Sequence, residues 1–155
     1  MGQMGGGKRQ GRGKFTYKEG NVNLRLEYDG EWLDDMPNGQ GTMKWSSGEE
    51  YVGSWVADNR NGRGVCKCAD GTHYDGEWKD GKRNGRGVYR YANGNVYDGH
   101  WKDDKMHGRG VCKYADGAFY IGDFNEGLKH GRGLLKDADA SIYHNGLWEC
   151  DLPLL

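Results

Sequence analysis

Cysteine and histidine are the side chains of this sequence best suited to bind a metal ion or to take part in catalysis. Cys66 and Cys68 form a Cys-x-Cys pair, whereas Cys112 and Cys150 stand alone. A structural zinc site usually takes four such ligands, and the sequence offers no second pair to complete one. The histidines occur in unrelated local contexts, at His73, His100, His107, His130 and His144. We therefore predict no metal site and no cofactor, and reduced thiols without a disulfide.

The N-terminal stretch MGGGKRQGRG, residues 4–13, combines glycine with basic residues as phosphate-binding loops do. It lacks the Gly-Lys-Ser/Thr ending of such a loop, and no predicted strand precedes it. Gly2 is placed to accept a myristoyl group, but that motif needs serine or threonine at residue six, where this chain has Gly6. We therefore predict a tail that leads into a partial repeat, with acylation of Gly2 as an open alternative.

Composition predicts an ordered protein rich in strands. The chain has 29 glycines, ten tyrosines, six tryptophans and only two prolines among 155 residues. Its 22 basic and 23 acidic side chains nearly cancel, which is unlike most disordered chains and argues against a nucleic-acid partner. No apolar run reaches the roughly 18 residues of a membrane span, and the N-terminus has no hydrophobic signal segment. We expect a cytoplasmic protein.

A 23-residue period organises the chain. Tyrosine marks it at Tyr28, Tyr51, Tyr74, Tyr97 and Tyr120. With each tyrosine as position 1, glycine follows at position 3, an aromatic residue at position 5 and a Gly-x-Gly pair at positions 12 and 14. We predict a tail and partial repeat over 1–27, five repeats over 28–142, and a partial repeat over 143–155 that opens at Tyr143 with one inserted residue.

Each unit contains two segments that alternate in character with the period of two that strands show. We predict a six-residue loop between them, such as DGKRNG, and a three-residue hairpin loop such as Ala-Asp-Gly before the next unit. Positions 1, 3, 5, 14, 16 and 18 then form an aromatic face, and positions 2, 4, 6, 13, 15 and 17 form a charged face. In this register the ring at position 5 covers the glycine at position 14, as Trp78 would cover Gly87.

The order Tyr-x-Gly-x-Trp, Gly-x-Gly and a closing glycine closely resembles the membrane occupation and recognition nexus (MORN) repeat family. Departures are confined to the end of the array, where Phe124 replaces tryptophan and Ala140 replaces the closing glycine. The resemblance implies an all-β fold: an elongated single-layer antiparallel sheet of consecutive β-hairpins, without a deep core. Residues spread along such a sheet do not converge into a catalytic site, so we predict that the protein is not an enzyme.

MORN sheets can receive a partner segment along the aromatic face, and the resemblance implies the same use here. We predict a scaffold or adaptor that binds a helical or extended protein segment, in a cytoskeletal or ciliary assembly such as an axoneme. The predicted partner-binding residues are Tyr28, Trp32, Tyr51, Trp55, Tyr74, Trp78, Tyr89, Tyr91, Tyr97, Trp101, Tyr114 and Tyr120.

Two other functions stay open. The first is a peripheral membrane tether that binds anionic phospholipid, although our register neutralises much of the charged face by pairing Asp29 with Lys44 and Arg63 with Glu77. The best remaining candidates for lipid contact are the loop cations Arg60, Lys82 and Arg83. The second is a targeting subunit for an enzyme in another chain. Unpaired strands at the sheet edges also permit self-association.

Overall fold

Residues 3–5 and 7–155 of the chain are described by a computed structural model, and every regular element among them is a β-strand. The strands form two compact units, one that ends at Gly81 and one that runs from Lys82 to Leu155. Within each unit, consecutive strands pair antiparallel. This confirms the predicted all-β fold of consecutive hairpins. Gly2, the residue considered for acylation, lies outside the described residues, as does Gly6.

The strands follow one another in chain order. In the first unit they are β1 (Gln3–Gly5), β2 (Lys8–Thr16), β3 (Arg25–Leu33), β4 (Met36–Trp45), β5 (Glu50–Val56), β6 (Asn59–Lys67) and β7 (His73–Lys79). In the second unit they are β8 (Lys82–Arg90), β9 (Val96–Lys102), β10 (Lys105–Lys113), β11 (Phe119–Asn125), β12 (Leu128–Lys136), β13 (Ile142–Glu149) and β14 (Leu152–Pro153). Contacts between strands concentrate on consecutive strands, as in a single layer.

Side chains alternate along each strand between two faces, as predicted. In β7, Tyr74 and Trp78 are buried, whereas Asp75 and Glu77 are exposed. This follows from strand geometry, because successive side chains point to opposite sides of a sheet. The buried hydrophobic residues belong to the aromatic face, and no polar or charged residue in the described part of the chain is buried. The aromatic face is therefore where the core of each unit lies.

The connection between the two strands of a repeat is a two-residue turn. β5 ends at Val56 and β6 begins at Asn59, so Ala57 and Asp58 alone join them. Their φ angles of 45° and 70° are both positive, as a type I′ hairpin turn requires. The predicted six-residue loop is wrong. A type I′ turn is usually recognised in a sequence by Asn-Gly, whereas here alanine and aspartate adopt the left-handed conformation.

Each of these turns is attached to the preceding repeat by a backbone hydrogen bond. The Asp58 amide donates to the Pro37 carbonyl at 2.9 Å, and the Asp104 amide donates to the Arg83 carbonyl at 3.1 Å. Left-handed conformation costs a non-glycine residue about 1–2 kcal/mol. The bond to the neighbouring repeat offsets part of that cost and fixes the turn against the sheet.

Replacing Ala57 by glycine should raise the free energy of unfolding of the first unit by about 0.5–1 kcal/mol, because glycine adopts positive φ without the steric cost that alanine carries. Urea denaturation followed by tryptophan fluorescence measures the change. Asp103→Gly is the control at the equivalent turn of the second unit, where φ is 46°. Aspartate tolerates this conformation better, so we expect a smaller gain there, and a loss of stability in Ala57→Gly would contradict the explanation.

From residue 28 onward, the connections between successive repeats are three-residue hairpin loops, as predicted. Cys68 and Thr72 close one such loop, with the Cys68 amide donating to the Thr72 carbonyl at 2.9 Å. The Gly71 amide donates to the Cys68 carbonyl at 3.1 Å, and Gly71 has a φ of 92°. A type I turn followed by a left-handed glycine is the geometry expected of Ala-Asp-Gly.

The register within a repeat differs from the prediction by two residues. β5 and β6 pair Tyr51 with Cys66 and Gly53 with Gly64, so position 14 faces position 3 and not position 5. The tight turn starts β6 early, and an irregularity beside Gly62, whose φ is 89°, absorbs the extra residues. Because the shift is even, each residue keeps its predicted face.

The same shift changes which charges lie opposite one another on the charged face. The predicted pairing of Asp29 with Lys44 within a repeat is wrong, because these two residues do not lie opposite each other. Between successive repeats, the predicted pairing of Arg63 with Glu77 is confirmed. The Arg63 guanidinium approaches the diagonal Asp75 at 3.6 Å, and both side chains are more than half exposed. Exposed pairs of this kind contribute little to stability.

Candidate functional site

Each repeat tyrosine packs on glycines of its own repeat. Tyr51 is fully buried, and a Cβ atom placed on Gly64 would collide with its ring. Its hydroxyl group donates a hydrogen bond to the Ser54 carbonyl at 2.9 Å, and burial raises the pKa of Tyr51 to about 12. The same packing recurs at Tyr28, Tyr97 and Tyr120. The residue that covers the glycine at position 14 is thus the tyrosine at position 1, and our prediction of the aromatic residue at position 5 is wrong.

The tryptophan at position 5 links each repeat to the one before it. Trp78 donates its indole N–H to the Gly64 carbonyl at 3.1 Å, and Trp55 donates to the Gly41 carbonyl at 3.2 Å. The Trp78 ring also meets the Tyr51 ring edge to face, with centroids 5.4 Å apart at 90°. Such aromatic pairs are each worth about 0.5–1.5 kcal/mol beyond the area they bury. Rings and glycines together give each unit the core that a single layer otherwise lacks.

The rings predicted to bind a partner fall into two groups. Nine are at most 6% exposed and belong to this core: Tyr28, Trp32, Tyr51, Trp55, Tyr74, Trp78, Tyr97, Trp101 and Tyr120. Three are half-buried and lie in the second unit: Tyr89, Tyr91 and Tyr114. Core rings offer little area to another protein. The surface of the aromatic face is therefore made mainly by the half-buried side chains.

The side chain at position 10 lies over the core rings. The guanidinium carbon of Arg60 is 5.2 Å from the centre of the Tyr51 ring and 4.9 Å from that of Trp78. Such cation–π contacts are worth about 0.5–2 kcal/mol. In the other repeats this position holds Arg9, Pro37, Arg83, Met106 and Lys129. Position 10 was not predicted to line the aromatic face, because it falls within the predicted six-residue loop.

Two of the three cations predicted to contact lipid lie on the aromatic face. Arg60 and Arg83 belong to β6 and β8 and not to loops. Arg60 pairs with Glu49 at 2.5 Å, and Arg83 pairs with Asp104 at 3.1 Å. Of the three predicted cations, only Lys82 is exposed. The placement of the two arginines suits packing and recognition on the aromatic face better than contact with a lipid surface.

A depression of about 170 Å³ lies on the aromatic face of the second unit. It is lined by Tyr91, Asn95, Met106, Cys112, Tyr114, Phe124, Gly127, Lys129 and Asp151. Burial raises the pKa of the Cys112 thiol to about 11 and also raises the pKa of Tyr114, so both groups are uncharged at neutral pH. Lys129 and Asp151 form an ion pair at 3.8 Å. The depression is therefore aromatic and apolar, with one charged pair in its lining.

Comparison with known families accounts for the repeated geometry. The model of the MORN repeat family matches the chain at residues 1–22, 28–50, 51–73, 74–96, 97–119 and 120–141. The chain belongs to the MORN repeat family. A search of curated proteins found no significant match. MORN repeats indicate a protein that binds other proteins or membranes, and the family is generally not catalytic.

β13 continues the pairing pattern of the repeats beyond the last matched repeat. We predicted that a partial repeat opens at Tyr143, but Gly133 pairs with Gly146, which places His144 at the tyrosine position. The His144 ring lies 5.1 Å from the Trp148 ring at 84°, as the repeat tyrosines lie beside their tryptophans. Tyr143 is the inserted residue and is 63% exposed.

Within the described part of the chain, no helix has the length and apolar character of a membrane span.

Three side chains of metal-ligating type come together where the repeat at residues 28–50 meets the repeat at residues 51–73. The ligand atoms of Glu49, Cys66 and Cys68 all lie within 4.8 Å of one another. Cys66 is buried and Cys68 is half-buried, and burial raises the pKa of the Cys66 thiol to about 12. The sequence pattern points only to the cysteine pair. It does not point to Glu49, because this residue follows the hairpin loop of the preceding repeat and reaches the cysteines only through the sheet register.

Proposed function

We propose that this MORN protein is a non-catalytic scaffold or adaptor that binds a partner protein in the depression of its second unit. The carrying observation is that Tyr91, Met106, Cys112 and Tyr114 meet in one concave surface. Aromatic and methionine side chains are enriched where one protein receives side chains of another. A volume of about 170 Å³ is below the roughly 300–1,000 Å³ of small-molecule sites, which favours one or two side chains of a peptide segment.

The partner that fits this surface is a helical or extended segment with an apolar anchor side chain. An uncharged thiol and phenol would not compensate a buried charge of the partner, so a charged anchor is disfavoured. Lys129 and Asp151 offer polar contacts within the lining. Family resemblance alone supports a cytoskeletal or ciliary assembly as the setting. If the partner is an enzyme, the same surface makes this protein its targeting subunit.

The double variant Tyr91→Ala/Tyr114→Ala should weaken partner binding at least about tenfold, because truncating two rings at the centre of an interface commonly costs 2 kcal/mol or more. The partner is first purified with the wild-type protein from its own cells and identified by mass spectrometry. Its dissociation constant is then measured with purified wild type and variant by calorimetry. Both tyrosines are half-buried, so circular dichroism is expected to show that the variant stays folded.

The charged face supplies both the control and the test of the alternative function. A depression of about 300 Å³ there is lined by Val88, Arg90, Val96, Asp98, Val111 and Lys113, and its two cations against one carboxylate favour a peripheral membrane tether as the second candidate. Arg90→Glu/Lys113→Glu should leave partner binding intact. Loss of the partner only in this variant would move the site to the charged face. Salt-sensitive sedimentation of wild type with anionic vesicles, abolished in this variant, would favour the tether.

A further inference from the structure

The Cys-x-Cys pair on the aromatic face meets a carboxylate from the neighbouring hairpin. Cys66 and Cys68 occupy positions 16 and 18, so strand alternation directs both thiols to the same side of the sheet. The Cys66 thiol donates to Oε1 of Glu49 at 3.0 Å. The three ligand atoms lie within 4.8 Å of one another. Two sulfurs and an oxygen at this separation are the donors of a soft-metal site.

We propose that Glu49, Cys66 and Cys68 bind a thiophilic divalent metal ion, Zn²⁺ in the first place. Zinc bonds are about 2.3 Å to sulfur and about 2.0–2.2 Å to a carboxylate oxygen. Two sulfur atoms no more than 4.8 Å apart can therefore both bind one ion after only small side-chain adjustments. Three protein ligands leave a fourth tetrahedral position for water or for a group from a partner.

Charge balance at the site favours a dication. In the metal-free protein the Arg60 guanidinium, 2.5 Å from Glu49 and 3.7 Å from the Cys66 sulfur, neutralises the carboxylate beside two neutral thiols. Binding a divalent ion converts both thiols to thiolates and releases their protons. The ion then balances the two thiolates, and Arg60 still balances Glu49, so the half-buried cluster stays neutral.

Arg60 is held in place as an outer partner of the proposed site. Its guanidinium carbon lies 4.6 Å from the Trp45 ring centre and 4.9 Å from the Trp78 ring centre. A guanidinium fixed in this way orients the Glu49 carboxylate toward the sulfurs, as outer-shell groups orient ligands in metal sites. The sulfur ligands select zinc-like ions over Mg²⁺ and Ca²⁺, which prefer oxygen.

The repeat at residues 97–119 provides a matched control. Cys112 occupies the same repeat position as Cys66, but Tyr114 stands where Cys68 would be, and Asn95 stands where Glu49 would be. The repeat scaffold is the same, yet two of the three ligands are missing. If the ligand set and not the fold creates the site, metal should bind at Cys66 and Cys68 and not at Cys112 and Tyr114.

Co²⁺ is the spectroscopic probe for the test, used with the reduced full-length protein. Wild type should bind one equivalent with a sulfur-to-cobalt charge-transfer band in the near ultraviolet, and Zn²⁺ should displace it. Cys68→Ser and Glu49→Gln are both substitutions at half-buried positions. Loss of an outer-shell partner weakens metal binding roughly 10–100-fold, and we expect each of these ligand variants to weaken Co²⁺ binding by at least as much. Cys112→Ser should bind Co²⁺ like wild type.

Three outcomes would overturn the proposal. They are the absence of the charge-transfer band in wild type at equimolar Co²⁺, an equal loss of binding in Cys112→Ser, and unchanged binding in Cys68→Ser and Glu49→Gln. X-ray absorption of the zinc-loaded protein gives an independent readout. Two sulfur and two oxygen neighbours are expected, whereas four sulfurs would mean that cysteines of separate molecules had combined.

Discussion

Alanine in place of Gly53 should lower the free energy of unfolding of the first unit by about 3 kcal/mol, at the upper end of the usual cost of overpacking. A Cβ atom at Gly53 would lie 2.5 Å from the Arg63 carbonyl oxygen and 2.5 Å from the Gly64 Cα. Both are backbone atoms of the paired strand, so no rotamer change can make room. Urea denaturation followed by tryptophan fluorescence and circular dichroism measures the loss.

Gly146→Ala is the control for this prediction. Gly146 occupies the equivalent position in β13, where the nearest atom to an added Cβ is Nε2 of His144 at 3.1 Å. A side chain can move away whereas a paired strand cannot, so we expect a loss below about 1 kcal/mol. Similar losses at Gly53 and Gly146 would show that close strand contact is not the reason for glycine at position 3.

Truncating Tyr51 to alanine should cost about 3–5 kcal/mol, the range found for large aromatic side chains in cores. The ring is fully buried and packs edge to face on Trp55 at 5.0 Å and on Trp78 at 5.4 Å. Its removal therefore leaves a cavity and breaks contacts within the repeat and with the next one. The midpoint of thermal unfolding, followed by near-ultraviolet circular dichroism, reports the loss of ring packing.

Two companion variants separate the contributions of the Tyr51 side chain. Tyr51→Phe keeps the ring and removes only the hydrogen bond to the Ser54 carbonyl, so we expect a loss of about 0.5–1.5 kcal/mol. Tyr143→Ala removes a ring that is 63% exposed and should change stability by less than about 0.5 kcal/mol. Equal effects of Tyr51→Ala and Tyr143→Ala would contradict a core role for the repeat tyrosine.

The sequence was sufficient to predict the repeat and its two faces, but it was not sufficient to predict the register. Periodicity identifies which residues share a face, because strand alternation survives any even slip. The turn at Ala57 and Asp58 carries no Asn-Gly signal, and the irregularity beside Gly62 resembles any Gly-x-Gly pair in the sequence. Because the sequence does not show these two features, the predicted register put the ring at position 5 over the glycine at position 14. In the structure the ring at position 1 covers it.

The candidate sites depend on the same register. Arg60 reaches the aromatic face only because β6 begins directly after a two-residue turn, whereas the predicted six-residue loop would contain this residue. Glu49 meets Cys66 because the hairpin loop brings successive repeats together, which a count of cysteine pairs does not show. The repeat tyrosines, which we also predicted to bind a partner, are buried. Their burial follows from the glycines, whose missing side chains let the rings lie against the backbone.

A constant frame of tyrosine, glycine and tryptophan surrounds a small set of side chains that changes from repeat to repeat. One such set is Arg60, Cys66 and Cys68 of the repeat at residues 51–73 with Glu49 from the end of the repeat before it, and the equivalent set two repeats later is Met106, Cys112 and Tyr114 with Asn95. Neither set supplies the tyrosine, tryptophan or glycines of the frame, but its members pack against them, as Arg60 does against Tyr51 and Trp78. Moving a ligand set along the sheet by one repeat would therefore mean rewriting these four positions together with Trp45, whose ring also contacts Arg60.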